Sequence, residues 1–261
     1  MKRIICLALV VLMSAVLLSG CTKGGGDLLA EVKKKGKLTI AMEGTWAPWT
    51  YHDESGELVG FDVEVGKAIA ERMGVEAEFI EGEWDGLFAG MDSRRYDLVI
   101  NGVDITDERK EKYDFSEPYA FIRTVLIVRG DNEEIKSFED LSGKTTANSI
   151  GSTYMELAEQ YGAKVEGVDS LAETMQMVIS GRVDATLNAE VSVADYLKEH
   201  PDADIKQVAA TEEANHVAIP MRKGAETETL RKAIDEALAS MHEDGTLSAL
   251  SMKYFGVDIT K

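Results

Sequence analysis

The chain has 261 residues, of which 44% are hydrophobic, and its 47 acidic and 28 basic side chains give a formal net charge of −19. This length and apolar content suffice for one large domain or two smaller ones with a substantial core, which excludes a disordered tail. The negative charge argues against a nucleic acid as partner, because binding to a phosphate backbone depends on Lys and Arg side chains.

The N-terminus predicts an export signal. Lys2 and Arg3 precede an apolar run over residues 4–18, and Ser19 and Gly20 then lead to Cys21. A charged start, an apolar middle and small residues at the end are typical of a signal peptide, here residues 1–20. The run is shorter than the about 20 residues that cross a bilayer core, which disfavours a permanent anchor helix.

The end of this segment resembles the bacterial lipobox, in which the cysteine becomes the first residue and carries lipid. We therefore expect Cys21 to be lipidated and residues 21–35 to hold this cysteine and a tether, with Gly24–Gly26 supplying flexibility. A plain secretory signal with a chance cysteine is the alternative. Cys6 leaves with the signal, so no disulfide is expected.

An internal repeat divides the rest of the chain into two halves. Each half reads strand, helix, strand, helix, strand, which predicts an α/β fold with parallel sheets and helices on both faces. The matching segments are 36–41 with 143–148, 84–93 with 171–180, and 95–101 with 182–188.

Two helices have clear apolar stripes. Asp62 is expected to be the N-cap of a helix that Gly74 ends. The residues expected to face the core are Val65, Ile69 and Met73 in this helix and Leu230, Ile234, Leu238 and Met241 in a helix near the C-terminus.

The order of elements predicts two lobes and a hinge. The chain is expected to cross between the lobes near residues 124–128 and again near 217–221. The expected boundaries are 36–125 with 219–261 for lobe I and 126–218 for lobe II. Ligands bind at the carboxyl ends of strands in open α/β sheets, so two facing lobes form one cleft that closes around a ligand.

Two segments at strand ends are suited to bind an anion. Arg109 follows the strand that ends near Asn101, and a guanidinium forks onto a carboxylate through two hydrogen bonds. Ser152 and Thr153 open a helix, whose N-terminus attracts negative charge. The alternatives are a solvated charge run at 109–112 and a helix cap without a ligand.

Aromatic residues cluster near the same strand ends. Trp46 and Trp49 follow the first strand and Trp84 opens a helix, so their faces can sandwich a ligand side chain. The alternative is that they fill the core or cover the surface. Glu43 lies beside them and is either a partner for a ligand ammonium group or a solvated side chain.

Several motifs together resemble the bacterial extracellular solute-binding proteins of family 3, the polar amino-acid receptors of ABC importers. They are 60–64 (GFDVE), 97–101 (DLVIN) leading to 105–109 (ITDER), 113–119 (YDFSEPY), 244–246 (DGT) and 253–256 (KYFG). The resemblance spans essentially all of the chain after the signal. It implies a two-lobed periplasmic-binding-protein-like fold (type II) with a two-segment hinge.

The resemblance also implies roles for individual residues. Trp46 and Trp84 match positions that stack on the substrate side chain, and Arg109 matches the arginine that binds the α-carboxylate. Asn101, Gly102 and Asp104 lie on the segment that leads to this arginine. Ser152 and Thr153 match the groups of the second lobe that meet the same carboxylate.

The chain departs from the family pattern at the position of an acid that binds the α-ammonium. Ala189 stands there, between Asn188 and Glu190. An ammonium group without a partner in a desolvated cleft costs several kcal/mol. We therefore expect Asp104 to take this role, assisted by Glu190 next to the vacant position.

Residues 101–106 and 112–116 resemble the cystine branch of the family more than the branch that binds basic amino acids. Two tryptophans and few acids placed to meet a side-chain cation also speak against lysine or arginine. A polar or sulfur-containing amino acid is expected, with cystine first.

The resemblance implies an extracytoplasmic, lipid-anchored monomer that delivers an amino acid to an ABC permease, with no cofactor. A dehydratase-like periplasmic enzyme on the same fold and a ligand-sensing module are the alternatives. No nucleophile elbow, P-loop or metal-ligand spacing favours an enzyme, and the histidines at 52, 200, 216 and 242 are scattered.

Overall fold

A computed structural model of the protein describes residues 26–261, which form an α/β structure of two lobes. The predicted signal peptide, the lipidation at Cys21 and the start of the tether lie outside the described residues. Within 26–261, none of the helices has both the length and the apolar character that spanning a bilayer requires.

The elements alternate along the chain as the repeat predicts. The α-helices of the described part are Leu28–Lys35, Phe61–Arg72, Trp84–Asp92, Asp107–Lys112, Thr153–Gln160, Leu171–Ile179, Glu190–Glu199, Glu228–Glu243 and Thr246–Phe255, with a 3-10 turn at Phe138–Leu141. The strands are Lys37–Met42, Thr45–Trp46, Thr50–His52, Leu58–Val59, Glu76–Glu81, Leu98–Val99, Tyr113–Phe115, Ala120–Ile122, Thr124–Arg129, Thr145–Asn148, Lys164–Gly167, Ala185–Ala189, Ile205–Ala210, Asn215–Val217 and Pro220–Arg222.

Each lobe contains one five-stranded sheet of the same design. The order in lobe I is 76–81, 37–42, 98–99, 220–222, 113–115, and in lobe II it is 164–167, 145–148, 185–189, 124–129, 205–210. The first three strands of each sheet are parallel, the fourth runs antiparallel to both of its neighbours, and the fifth therefore runs in the same direction as the first three. The predicted sheets are therefore mixed rather than fully parallel, because the strand that follows each crossing, 124–129 or 220–222, runs in the opposite direction.

The repeated Arg-x-Asp motif has the same structural role in both halves. The carboxylate of Asp97 accepts a hydrogen bond from the backbone N–H of Thr39 at 2.9 Å, and that of Asp184 accepts one from Thr145 at 2.7 Å. In each case the aspartate fastens the third parallel strand to the first strand of its lobe. The internal repeat is thus a repeat of sheet-building contacts.

The two crossings pair with each other. Ala120–Ile122 and Asn215–Val217 form a two-stranded antiparallel sheet between the lobes, and Pro220–Arg222 then joins the lobe I sheet. Thr124–Arg129 already belongs to the lobe II sheet, so this lobe begins slightly before the expected boundary at 125/126. Two adjacent crossings allow rotation of one lobe against the other.

The two predicted apolar stripes are confirmed, since all seven of their residues are buried. The predicted N-cap is wrong. Gly60 precedes the helix Phe61–Arg72 with a φ of 134°, and Asp62 lies inside the first turn with a fully buried side chain. Gly60 is required because a Cβ there would overlap the backbone of Trp49.

The expected tether is too long at its C-terminal side. Residues 28–35 form a helix that starts at the N-cap Asp27, whose carboxylate accepts from the N–H groups of Leu29 and Ala30. Leu28 and Val32 are buried in the core of lobe I. The four-residue spacing of Leu28 and Val32 places both on one face of the helix, and this face packs on lobe I. The segment is therefore part of the fold.

The packing of this helix on lobe I should contribute to the stability of the protein. Val32→Ala is expected to lower the free energy of unfolding by about 1 to 3 kcal/mol, because it removes buried methyl groups from the core. Lys34→Ala on the exposed face of the same helix is the control and should change it by less than about 0.5 kcal/mol. Urea unfolding of both variants is the measurement. Equal small effects would mean that the helix does not dock.

Candidate ligand-binding cleft

A cavity lies between the lobes, where the carboxyl ends of both sets of parallel strands meet. Its volume, including the part that is open to solvent, is about 510 Å³. Both walls contribute polar side chains and helix N-termini. The lining residues are Glu43, Thr45, Trp46, Trp84, Asn101, Gly102, Asp104 and Arg109 from lobe I and Ser149, Ser152, Thr153, Tyr154, Asp169, Ser170, Leu171 and Asn188 from lobe II.

The cavity brings together the residues that the sequence predicted for a ligand, with one exception. Glu190 does not line it. The carboxylate of Glu190 instead accepts three hydrogen bonds from the guanidinium of Arg123, at 2.8 to 3.1 Å. Glu190 follows Ala189 at the start of a helix, so its side chain leaves the strand end away from the cleft. The expectation that it binds the ligand is therefore wrong.

Arg109 is positioned by a short helix. The hydroxyl of Thr106 caps this helix by accepting from the N–H of Arg109, and the guanidinium then turns inward. It donates to the carbonyl oxygen of Asp104 at 3.1 Å and, across the cleft, to that of Gly151 at 3.2 Å. It also lies 5.4 Å from the ring centre of Trp84. Arg109 is only 9% exposed, which excludes the solvated charge run as its role.

Asp104 connects the two lobes. Its carboxylate accepts from the hydroxyl of Thr153 in lobe II at 2.5 Å and from the amide of Asn215 in the second crossing at 3.2 Å. Burial raises the pKa of Asp104 to about 6, although the bonds from Thr153 and the charge of Arg109 act in the opposite direction. A cationic ligand group beside it would favour its charged form.

The second wall begins at a helix N-terminus. Ser152 is the N-cap of the helix Thr153–Gln160, and its hydroxyl accepts from the N–H of Met155 at 3.2 Å. The guanidinium of Arg109 lies beside this helix start, because it donates to the carbonyl of Gly151 just before it. A carboxylate placed between Arg109 and this helix end would be stabilised from both walls.

Glu43 is a second acid of the lobe I wall, and it is half-buried. It follows the first strand, and the amide of Asn101 donates to its carboxylate at 2.6 Å. The side-chain oxygen of Asn101 in turn accepts from the backbone N–H of Glu43 at 2.8 Å. Burial raises the pKa of Glu43 to about 7, opposed by the bond from Asn101 and assisted by the negative charge of Asp169. The solvated alternative for Glu43 is thereby excluded.

The tryptophans divide into two kinds. Trp46 and Trp84 line the cavity, whereas Trp49 is fully buried beneath Trp46, with ring centres 5.2 Å apart and nearly parallel planes. The indole N–H of Trp46 donates to Asn188 at 3.3 Å and that of Trp49 to Ser192 at 3.0 Å, both in lobe II. Trp49 is thus a core residue that also connects the lobes.

Seven lining residues were not predicted from the sequence. For three of them, the internal repeat could have indicated a place at the cleft, because they correspond to residues of the first half. Asn188 occupies the place in the second half that Asn101 occupies in the first. Asp169 and Ser170 precede the helix Leu171–Ile179, which matches the helix opened by Trp84. The others are Thr45, Ser149, Tyr154 and Leu171.

The acids that line the cavity change one expectation about the ligand. The sequence predicted few acids at positions where they could bind a side-chain cation of the ligand. Glu43, Asp104 and Asp169 nevertheless all line the walls. A cationic group is therefore compatible with this cleft. Within residues 26–261, no group of three or more His, Cys, Asp or Glu side chains is arranged to hold a metal ion.

Asp62 supports the cavity wall from behind. Its carboxylate accepts from the backbone N–H of Gly102 at 2.6 Å and from the hydroxyl of Tyr119 at 2.8 Å. Gly102 has a φ of 56°, and a Cβ there would overlap the ring of Trp46, so the position requires glycine. Asp62 therefore holds the turn on which Trp46 rests.

Comparison with known proteins places this geometry in a family. Residues 38–257 match the model of the bacterial extracellular solute-binding proteins, family 3. The chain belongs to this family. A curated family member, the L-cystine-binding protein TcyA of Bacillus subtilis (strain 168), is 43% identical over 266 residues, which cover 98% of each chain.

Two solved structures show the same fold. A mutant of ArgBP from T. maritima is 31% identical, covers 87% of this chain and 99% of its own, and has a TM-score of 0.81. The L-cystine solute receptor of Neisseria gonorrhoeae, in an unliganded open conformation, is 40% identical, covers 90% and 100%, and has a TM-score of 0.61. Of these two structures, the one with more sequence identity has the lower TM-score.

The buried Asp62 predicts a pH dependence of stability. Burial raises its pKa from 3.8 to about 7, so the folded chain keeps a proton there that the unfolded chain loses near pH 4. The contribution of this group is therefore complete below about pH 4 and is lost as the pH rises to about 7. Asp62→Asn should flatten the decline in the free energy of unfolding between these values.

Urea unfolding at pH 4, 5.5 and 7 measures this effect. Asp202→Asn, at an exposed position in lobe II, is the matched control and should leave the profile of the natural chain unchanged. An identical decline in Asp62→Asn and in the natural chain would show that Asp62 does not titrate in this range.

Proposed function

We propose that this protein is the extracytoplasmic substrate-binding component of an ABC importer, which captures an amino acid between its lobes and delivers it to a membrane permease. The observation that carries the proposal is the cavity itself. Arg109 and a helix N-terminus converge on it as partners for a carboxylate, and Asp104 lies beside them as a partner for an ammonium group. Membership in the solute-binding family supports the same function.

The proposed binding roles follow the chemistry of the walls. Arg109, Ser152 and Thr153 hold the α-carboxylate, and Asp104 holds the α-ammonium in place of the acid that Ala189 replaces. Trp46 and Trp84 contact the ligand side chain, while Asn101 and Gly102 shape the wall between them. Ala189 is buried against the core, so the position contributes packing instead of charge.

Cystine is the first choice of ligand. The named relatives TcyA and the Neisseria gonorrhoeae receptor are a cystine-binding protein and a cystine receptor, and their identity to this chain is 40% or more. The apolar faces of Trp46 and Trp84 are suited to a sulfur-containing side chain.

The cellular setting is also part of the proposal. Residues 1–20 act as a signal peptide, Cys21 carries the lipid that holds the protein at the membrane surface, and the protein works as a monomer beside its permease. The proposed role is binding without turnover. A dehydratase-like activity is the competing outcome, and it would appear as consumption of a carboxylic substrate by the purified protein.

A ligand panel tests the proposal. Protein that has been unfolded and refolded to remove carried-over ligand is heated with each common amino acid and with cystine. A ligand at 100 times its dissociation constant stabilises the fold by about 2.7 kcal/mol, which gives a clear rise in Tm. A selective rise with cystine supports the proposal. A rise with arginine alone would contradict the ligand, and no rise with any amino acid would contradict the function.

The role of Asp104 has its own test. Asp104→Asn should weaken amino-acid binding at least about tenfold in calorimetry, because a buried ammonium loses its charged partner. Binding to the natural chain should also weaken as the pH falls below about 6, where Asp104 takes up a proton. Asp107→Asn, in the same turn but fully exposed, is the control and should bind normally. Unchanged affinity in Asp104→Asn would overturn the assignment.

A further inference from the structure

The segment that carries Asp104 pairs with the second crossing. Asp104 forms an antiparallel bridge with Val217. On either side of this bridge, backbone N–H groups donate to carbonyl oxygens across the pair, at 2.8 and 2.9 Å. The strand Asn215–Val217 pairs on its other edge with Ala120–Ile122 of the first crossing. The acid proposed to bind the ligand ammonium therefore lies at the edge of the sheet that the two crossings form.

The carboxylate of Asp104 is held by one of its two oxygens. Oδ2 accepts from Nδ2 of Asn215 at 3.2 Å and from the hydroxyl of Thr153 at 2.5 Å. Within residues 26–261, Oδ1 accepts no hydrogen bond, and Arg109 donates to the backbone carbonyl of Asp104 instead of to this carboxylate. A residue that fixes Oδ2 therefore determines where Oδ1 points. Because Asp104 lines the cavity, Oδ1 is the atom available to a ligand.

Asn215 connects this acid to both crossings. It begins the strand Asn215–Val217, and its Nδ2 also donates to the hydroxyl of Thr124, the first residue of the lobe II strand Thr124–Arg129, at 3.2 Å. An amide nitrogen carries two hydrogens, so one can serve each acceptor. Asn215 is not among the residues that line the cavity. We therefore expect it to affect a ligand through Asp104.

The two donors to Asp104 belong to different parts of the molecule. Thr153 starts a helix of lobe II and moves away with that lobe when the cleft opens. The backbone pairing of Asp104 with Val217 keeps the second crossing, and with it Asn215, beside the carboxylate. In the open form, Asn215 is therefore the donor that remains. A carboxylate that keeps a donor keeps its charged form and its orientation.

The other groups around Asp104 do not supply this bond. Arg109 supplies positive charge that favours the ionised carboxylate, whereas Glu156, on the lobe II helix, supplies negative charge that disfavours it. The phenols of Tyr119 and Tyr154 are also close, and burial raises the pKa of both well above the usual value, so they stay neutral. Among the described residues, no third side chain donates to Oδ2.

We propose that Asn215 is a positioning residue, which holds Oδ2 of Asp104 in the open cleft so that Oδ1 faces the entering ammonium group of the ligand. This inference rests on the proposed function, in which Asp104 binds that ammonium. Thr153 adds its bond to the same oxygen after the lobes have closed. The second crossing thereby prepares the site for capture, and lobe II completes it.

Calorimetry with cystine tests the role in binding. Asn215→Leu keeps the size of the side chain and removes its donor, so it should weaken binding about tenfold at pH 7. Asp104→Asn combined with Asn215→Leu should bind no more weakly than Asp104→Asn alone, because Asn215 acts through this acid. His216→Ala is the matched control and should bind normally, since the exposed ring of His216 packs on Phe121, on the other face of the strand.

The pH profile separates this role from a general loss of stability. Cystine binding to the natural chain should weaken below about pH 6, where Asp104 takes up a proton. Without the bond from Asn215 the pKa of Asp104 rises, so in Asn215→Leu the weakening should begin about half to one pH unit higher. Equal affinity of Asn215→Leu and the natural chain, an additive loss in the double variant or an unshifted profile would each overturn the proposal.

Carbon NMR of the ligand-free protein gives an independent readout. The carboxyl signal of Asp104 should titrate about half to one pH unit higher in Asn215→Leu, and Thr153→Val should leave it nearly unchanged because this hydroxyl is withdrawn in the open form. A larger change in Thr153→Val than in Asn215→Leu would contradict the assignment. If no amino acid binds the natural chain, the proposed function fails, and this titration still decides the role of Asn215.

Discussion

The contact on which the site depends is the bond between the carboxylate of Asp104 and the hydroxyl of Thr153. It joins a strand end of one lobe to a helix start of the other, and Asn215 in the second crossing adds a bond to the same carboxylate. A charge buried at this place is costly without partners from both walls. The lobes must meet for those partners to be present, so the chemistry of binding and the closed arrangement require each other.

Other contacts between the lobes end on acceptors that are not charged. The indole N–H groups of Trp46 and Trp49 reach acceptors in lobe II, and Arg109 reaches the carbonyl of Gly151. Each of these bonds exchanges a bond to water in the open form, and its net contribution is therefore modest. When the closed form is held by several weak bonds of this kind, a ligand that binds both walls can shift the equilibrium between the open and closed forms.

The sequence predicted those features that depend on local periodicity. The spacing of apolar residues predicted the helices, and the repeat predicted the matching strands. Both kinds of feature depend on residues that are close together in the sequence. Asp62 and Glu190 were misplaced because their positions depend on distant partners. Gly102 and Tyr119 draw Asp62 into the core, and Arg123 holds Glu190 outside the cleft. Asp169 was missed because it lines the cavity only when lobe II is packed against lobe I.

The tryptophans give the molecule an optical property of its own. The chain has three: the indoles of Trp46 and Trp49 bond to Asn188 and Ser192 in the other lobe, and Trp84 lies beside the cleft residue Arg109. Indole fluorescence responds to polarity and to nearby charge. The intrinsic emission of the unlabelled protein therefore reports the movement of its lobes, and stopped-flow recording of that emission gives the rate of closure without any attached dye.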